Sequence, residues 1–222
     1  MADLVVYGKD ALARELSELH ARTTGPLVLV TDPEELPMAA AKAPADAVLA
    51  VAAFSAGGEV LRRRLSIARP VATFGATVPL RDLSRSEVAM PPGLPSDEEE
   101  RWLGTMGEVF GEVEVVLESP GLVTARVLAG LVNEAAHLLG ESGGDAAGID
   151  EAMRLGVNYP RGPLLWGDLI GLDVIHRLLL ALGDAYGRER HRPAPLLVRK
   201  VMAGETGALV GQGFYTHAPT SA

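Results

Sequence analysis

The sequence predicts an α/β domain of parallel strands followed by an all-helical domain, a fold of the α/β plus all-α kind. In the first half, short apolar runs typical of buried strands alternate with helical stretches and short connections. In the second half, apolar residues recur at the three- and four-residue spacing of helices. We therefore divide the chain into domains at 1–118 and 119–222.

The strands of the first domain follow from its apolar runs, which lie at 4–7, 27–30, 47–53, 71–74 and 113–117, with a helix predicted over 10–21. Strand, helix, strand with short connections predicts parallel strands joined by right-handed crossovers, the pattern of a shortened Rossmann-like sheet. The Pro-rich stretch 90–95 is predicted to be a linker. A helix is predicted to begin at Ser96, because the acidic residues that follow favour a helix N-terminus.

Composition limits the classes of function. A content of 48% hydrophobic and 22% charged residues is that of an ordinary globular protein. The absence of cysteine excludes disulfides and thiol chemistry, and no histidine has the spacing of a metal site, so we expect no metal. The first residues lack a signal-peptide pattern, which predicts a cytoplasmic protein. The excess of arginine over lysine is typical of some bacteria. The net charge of −9 argues against nucleic acid or an anionic membrane as a partner.

The most informative segment, 149–173, reads IDEAMRLGVNYPRGPLLWGDLIGLD. Its first part predicts a helix that Asp150 caps and that ends near Gly156. Pro160 and Pro163 then break the helix, because proline lacks a donor and restricts the residue before it. One second helix is predicted to follow, with an apolar face made of Leu164, Leu165, Leu169, Leu172 and Ile175.

This segment resembles the C-terminal helical domain of the 3-hydroxyacyl-CoA dehydrogenases, in which a pattern like IDxAMxxGxxxPxGPxxxxDxxGLD recurs. Three further pieces agree in order: SPGLV at 119–123 resembles the DxPGFVVNR motif, LVNEAA at 131–136 the LxNEA helix, and GQGFY at 211–215 the closing GRGFY. The resemblance covers about 119–217. The wording GVNYPRGPLLWGD is most similar to the second half of the two-copy 3-hydroxyadipyl-CoA dehydrogenases of phenylacetate degradation.

The resemblance implies an enzyme of fatty acid or phenylacetate catabolism that binds NAD through a G-x-G-x-x-G turn. Here the turn begins at Gly8 and keeps one of the three glycines, and Asp10 would place a carboxylate where the pyrophosphate should lie. Gly8 and Asp32, an acidic residue positioned to meet a ribose hydroxyl, are the candidate cofactor-binding residues. Each also has an ordinary explanation, as a turn glycine or as a cap.

The catalytic residues that the resemblance implies are not recognisable. The family's histidine lies in an HFFNP-like strand with a glutamate about a dozen residues on, and takes the proton of the substrate hydroxyl. The corresponding stretch here, LSRSEVAMPPGLP at 83–95, has no histidine. The family's active-site asparagine aligns with Ala125, and its serine-rich segment leaves Thr77 as the one hydroxyl. We therefore assign no catalytic residue.

Three residues are candidates for binding a substrate. Asn133 and His137 lie four residues apart on one predicted helix. Arg161 is placed to meet an acyl-CoA phosphate or the terminal carboxylate of a dicarboxylic acyl chain, although the turn itself also explains it.

Three functions stay open on the sequence alone. The first is a catalytically degenerate member of the family that acts as a dimerising or accessory subunit, as a homodimer or as a heteromer with an active dehydrogenase. The second is an active NAD-dependent dehydrogenase. The third is an acyl-CoA binding module without chemistry.

Overall fold

The computed structural model describes residues 2–19, 21–76, 79–80, 85–142 and 144–218. The chain forms two compact units, Met1–Ala125 and Arg126–Ala222. The division falls inside a helix that begins at Thr124, past the boundary at 118 drawn from the sequence.

The first unit contains a seven-stranded sheet in the order β2-β1-β3-β4-β5-β6-β7. Strands β1, β3, β4 and β5 are parallel, β2 and β6 are antiparallel to their neighbours β1 and β5, and β7 is parallel to β6. The strand bounds are β1 Ala2–Tyr7, β2 Arg22–Thr23, β3 Leu27–Val30, β4 Val48–Ala52, β5 Ala72–Gly75, β6 Ser86–Ala89 and β7 Val113–Val115. The predicted parallel, Rossmann-like arrangement is confirmed, while β2 and β6 were not assigned from the sequence.

The helices of the first unit are α1 Ala11–Glu18, α2 Leu36–Lys42, α3 Gly58–Arg64 and α4 Ser96–Phe110. The predicted helix over 10–21 is confirmed in shorter form, and the predicted start at Ser96 is confirmed. The second unit is helical, with α5 Thr124–Ser142 leading into it, followed by α6 Ala146–Val157, α7 Pro163–Ile170, α8 Leu172–Tyr186 and α9 Pro195–Met202.

Helices cover both faces of the sheet. On one face, the buried valines of β3 and β4 pack with Leu36 of α2 and Leu61 of α3. Phe74 of β5 pairs with Ala52 and so points to the face opposite Val51, because successive strand residues alternate. On that face Phe74 stacks on Phe110 of α4, with ring centroids 5.5 Å apart.

The parallel part of the sheet follows chain order in one direction from β1 to β5. Doubly wound sheets bind dinucleotides in the crevice that forms where the strand order reverses. Among the described parallel strands no such reversal occurs, so β1 does not border a crevice of that kind.

The predicted cap of α6 is wrong. The helix begins at Ala146, and the carboxylate that caps it belongs to Asp145, which accepts a hydrogen bond of 2.7 Å from the Gly148 amide. Asp150 therefore lies inside the helix. The helix ends at Val157 and not at Gly156, because Asn158 adopts the left-handed conformation, with φ of 57°.

The single helix predicted from Leu164 onwards is also wrong. Gly171 interrupts it with φ of 110° and ψ of 123°, a conformation that side chains rarely allow. Two helices, α7 and α8, result from this break.

Asp150 caps α7 from outside. Its carboxylate accepts hydrogen bonds of 2.8 Å from the Leu164 and Leu165 amides, and a third of 2.8 Å from the Tyr215 hydroxyl. It is 6% exposed. A Cβ at Gly162 would lie 2.1 Å from this side chain, so only glycine allows the approach. Negative charge at a helix N-terminus is stabilising, and α7 thus depends on α6 for its start.

Asp168 binds the C-terminal segment of the second unit. Its carboxylate accepts hydrogen bonds from the Phe214 amide at 2.8 Å and the Tyr215 amide at 2.9 Å, and lies 2.7 Å from His217 Nε2. It is 1% exposed. A Cβ at Gly213 would lie 2.1 Å from the carboxylate. Asp150 and Asp168 together hold segment 213–217 against α6 and α7.

We expect Asp150→Asn to lower the free energy of unfolding by about 2–3 kcal/mol, because it removes hydrogen bonds to a buried charge. Asp184→Asn is the matched control, since Asp184 is exposed and bonds Arg188 at 2.9 Å on the surface of α8. The control should cost less than about 1 kcal/mol. Urea unfolding measures both, and equal losses would contradict the role given to Asp150.

We expect a loss of stability at alkaline pH that depends on Tyr215. Burial raises the pKa of its hydroxyl, and the hydrogen bond to Asp150 and the charges of Asp150 and Asp168 raise it further. The folded state therefore favours the un-ionised hydroxyl, whose stabilising effect is complete below pH of about 10 and is lost as the pH rises further. Wild type should be more stable than Tyr215→Phe at pH 8, and the difference should narrow towards pH 11.5 in urea unfolding. A constant difference would show that the hydroxyl does not titrate in this way.

Candidate functional site

The turn after β1 is shaped by close packing at Gly8 and by a helix cap at Asp10. Gly8 has φ of 137°, and a Cβ there would lie 1.9 Å from Thr31 Oγ1, so close packing against β3 is enough to require glycine. Asp10 is the N-cap of α1, and its carboxylate accepts a 2.8 Å hydrogen bond from the Ala13 amide. The helix N-terminus that would bind an anion in a nucleotide site therefore already holds the chain's own carboxylate.

Asp32 follows β3 and is half-buried. Its carboxylate accepts a 3.0 Å hydrogen bond from the Glu34 amide and caps the short 3-10 turn Pro33–Glu35. Contact of Asp32 with a ribose stays a prediction. Thr77, the one hydroxyl expected near the site, lies outside the described residues.

Glu87 of β6 is the residue that the sequence analysis missed. In an HFFNP-like strand the proline comes four residues after the histidine, and here Pro91 comes four residues after Glu87. Glu87 therefore stands where the family's histidine would stand. The spacing to Pro91 was the signal that could have identified it.

The Glu87 carboxylate caps α5. It accepts hydrogen bonds from the Val123 amide at 2.8 Å, the Thr124 amide at 3.0 Å and the Thr124 hydroxyl. Gly75 lies opposite it on β5, and a Cβ there would make a tight contact of 3.2 Å with the Glu87 Cβ. The half-buried carboxylate is thus held by groups that begin α5.

Ala125 follows Thr124 in the first turn of α5 and is 1% exposed. The position that the sequence analysis gave to the family's asparagine is therefore a buried methyl group. Glu87 is bonded to the start of α5, and Ala125 carries no side-chain amide.

A further carboxylate holds the start of α3. Glu118 accepts hydrogen bonds from the Glu59 amide at 2.9 Å and the Thr73 hydroxyl at 3.0 Å. In the first unit the chain's own carboxylates thus occupy the N-termini of α1, α3 and α5.

The three candidate substrate-binding residues lie in the second unit. Asn133 is buried, and its amide donates to the Arg192 carbonyl at 2.9 Å and accepts from the Ala194 amide at 2.8 Å, which ties α5 to the chain before α9. His137, one turn later, has its Nδ1 3.8 Å from Glu141 Oε1. Arg161 is half-buried in the turn between α6 and α7. A ligand role for any of the three stays a prediction.

The described residues show neither a metal cluster nor a membrane-spanning helix. Among them, no group of three histidine, aspartate or glutamate side chains is arranged to hold a metal ion. No helix in the described part of the chain is both long and apolar enough to span a bilayer.

Residues 121–217 match the family described as "3-hydroxyacyl-CoA dehydrogenase, C-terminal domain". A probable 3-hydroxybutyryl-CoA dehydrogenase of Bacillus subtilis is 40% identical over 113 residues, which cover 50% of this chain and 39% of that protein. The 3-hydroxyadipyl-CoA dehydrogenase of Escherichia coli is 44% identical over 87 residues, 39% of this chain and 18% of that protein. The matched regions thus span less than half the length of these curated relatives.

Solved structures extend the likeness to the first unit. Mycobacterium tuberculosis FadB2 has a TM-score of 0.72 at 24% identity, covering 91% of this chain and 73% of that chain, and so is similar in fold. The 3-hydroxybutyryl-CoA dehydrogenase of E. coli K12 has a TM-score of 0.62 at 33% identity, covering 70% of this chain and 32% of that chain. Residues 121–217 are thus similar in sequence to the C-terminal domain of the 3-hydroxyacyl-CoA dehydrogenases, and most of the chain is similar in fold to FadB2.

Proposed function

We propose that this chain is a catalytically degenerate member of its family, and that it acts in acyl-CoA metabolism as a dimerising or accessory subunit. The observation that carries the proposal is Glu87, which stands at the histidine's position and is bonded to the start of α5. The E. coli 3-hydroxyadipyl-CoA dehydrogenase relative supports phenylacetate breakdown as the metabolic setting.

The chemistry explains why this replacement matters. Oxidation of a secondary alcohol needs a base that takes the hydroxyl proton, a partner that fixes the base, and a cofactor that takes the hydride. Loss of a general base alone costs about 10²- to 10⁴-fold in rate. Here the Glu87 carboxylate is engaged by amide donors, and Ala125 removes the polar partner.

Family resemblance supports NAD as the ancestral cofactor, and we propose that this chain binds it weakly or not at all. The Asp10 carboxylate occupies the N-terminus of α1, where it would repel a pyrophosphate. The one-directional order of the parallel strands also leaves β1 without the usual nucleotide crevice.

A helical unit with uncovered apolar side chains supports a subunit role. Asp150 is the one residue recorded as buried in α6, while Leu155 is 77% and Val157 52% exposed. Met202 at the end of α9 is 83% exposed. Exposed apolar groups that form a contiguous patch mark association surfaces. We therefore propose a homodimer, or a heteromer with an active dehydrogenase, formed through this unit.

We expect no NADH absorbance when the purified chain is mixed with NAD and 3-hydroxybutyryl-CoA or 3-hydroxyadipyl-CoA, and no effect of His137→Ala on any trace rate. Calorimetry should show no micromolar binding of NAD. The pair Asp10→Gly with Ala13→Gly should improve any affinity, whereas Asp97→Asn, which removes a carboxylate from the first turn of α4, should not. Turnover of ~1 per second, within the usual range for enzymes, would establish the active-dehydrogenase alternative.

We expect light scattering at micromolar concentration to give twice the chain mass of 23.3 kDa. The interface should bury more than ~1,500 Å² and involve α6. Leu155→Asp should weaken the dimer, while Leu117→Asp should not, because Leu117 is 92% exposed but belongs to the first unit. A monomer mass for the wild type would contradict the proposed dimer.

A further inference from the structure

A cavity of about 540 Å³ lies where β3, β4 and β5 begin, and the proposed function makes no use of it. It is at the sheet edge opposite the turn that follows β1, because these strands are parallel to β1. Its volume suits a small organic molecule. Apolar groups of Pro70, Leu94 and Trp102 share its walls with Arg69 and Arg101.

Arg69 is a fixed cation in this wall. Its guanidinium donates to the Ala43 carbonyl at 3.1 Å and the Ala47 carbonyl at 2.6 Å, which hold it in place. Both acceptors are neutral, and no ion pair with a carboxylate is recorded for Arg69 in the described chain. Burial lowers the pKa of Arg69, as expected for a charge without a bonded counterion, although the Asp46 charge opposes this.

Arg101 differs from Arg69, because its guanidinium forms an ion pair of 2.5 Å with Glu98. It also donates a hydrogen bond of 2.9 Å to the Asp46 carbonyl. Two carboxylates, Asp46 and Glu98, also line the cavity, and Glu98 is paired with Arg101. The charge of Asp46 acts on Arg69, but the groups bonded to Arg69 are both neutral carbonyls. Its guanidinium still has donors to offer, since only two of its five N–H groups are recorded in bonds.

Trp102 adds a second unmet donor. Its side chain is 3% exposed, its ring lines the cavity, and its indole Nε1 has no hydrogen-bond partner among the described residues. Buried N–H groups are nearly always bonded. The wall thus combines a cation that is not bonded to a carboxylate, a buried donor without an acceptor and an aromatic residue.

We propose that this cavity binds a small organic carboxylate with an apolar body. The carboxylate pairs with Arg69, because a guanidinium matches two carboxylate oxygens and forms strong charged hydrogen bonds. The apolar body lies against Trp102 and Leu94. The site does not depend on the proposed function, since it shares no residue with the turn at Gly8 or with the contacts of Glu87.

The test uses the full chain with Trp166→Phe, which leaves Trp102 as the only tryptophan. Benzoate, benzamide and benzylammonium, which share an apolar ring and differ in charge, are titrated against Trp102 fluorescence. We expect a saturable response to benzoate, binding of benzamide at least about tenfold weaker, and no binding of benzylammonium. No saturable response to benzoate, or equal affinity for all three probes, would overturn the proposal.

Two variants locate the response in the cavity. Arg69→Gln should weaken benzoate binding about tenfold or more, while Arg64→Gln, which removes an exposed charge from α3, should leave it unchanged. Gly25→Leu adds an apolar side chain to the cavity wall and should obstruct the cavity. Its Cβ meets no atom closer than 3.8 Å, and the nearest atoms belong to Thr105 and Arg101, not to Arg69. This second variant decides the matter if Arg69→Gln fails to fold. Unchanged benzoate affinity in folded Gly25→Leu would place the response elsewhere and refute the site.

Discussion

The constraint on which both units depend is the pairing of helix N-termini with the chain's own carboxylates. Amide groups in the first turn of a helix lack partners within the helix and carry partial positive charge. Here side chains that directly precede the helix, or that come from distant parts of the chain, fill these places: Asp10 at α1, Glu118 at α3, Glu87 at α5, Asp145 at α6 and Asp150 at α7. The same places receive phosphate in related folds, so the contacts that stabilise this chain also compete with an anionic cofactor.

The motifs that identify the family are largely architectural in this chain. Asp150 and Asp168 bind amides of α7 and of the C-terminal segment, and Asn133 binds the chain before α9. Gly162 and Gly213 are needed because the two buried carboxylates approach their backbone closely. A helical unit held by such contacts keeps its fold whether or not chemistry occurs in the first unit. A family match therefore indicates fold more strongly than activity.

Local patterns in the sequence predict the local structure well. The β3 strand follows from its own apolar run, and the start of α4 follows from the acidic residues of its first turn. Both signals lie within a few residues of the structure that they predict. Partners that are distant in sequence could not be predicted. In the sequence Asp150 resembles a cap for its own helix, yet the Leu164 amide that it caps is 14 residues away. Glu87 accepts from the Thr124 amide, which is 37 residues away. The two-residue strand β2 is too short to carry a pattern.

Glu87 and the start of α5 are linked by charge as well as by hydrogen bonds. The Glu87 carboxylate in β6 accepts from the Val123 and Thr124 amides, and negative charge stabilises a helix N-terminus. A neutral histidine at position 87 could not serve both amides, since its ring offers one acceptor nitrogen where a carboxylate offers two oxygens. The start of α5 would then lose its charged cap. In this chain the side chain at position 87 is therefore part of the structure that begins α5.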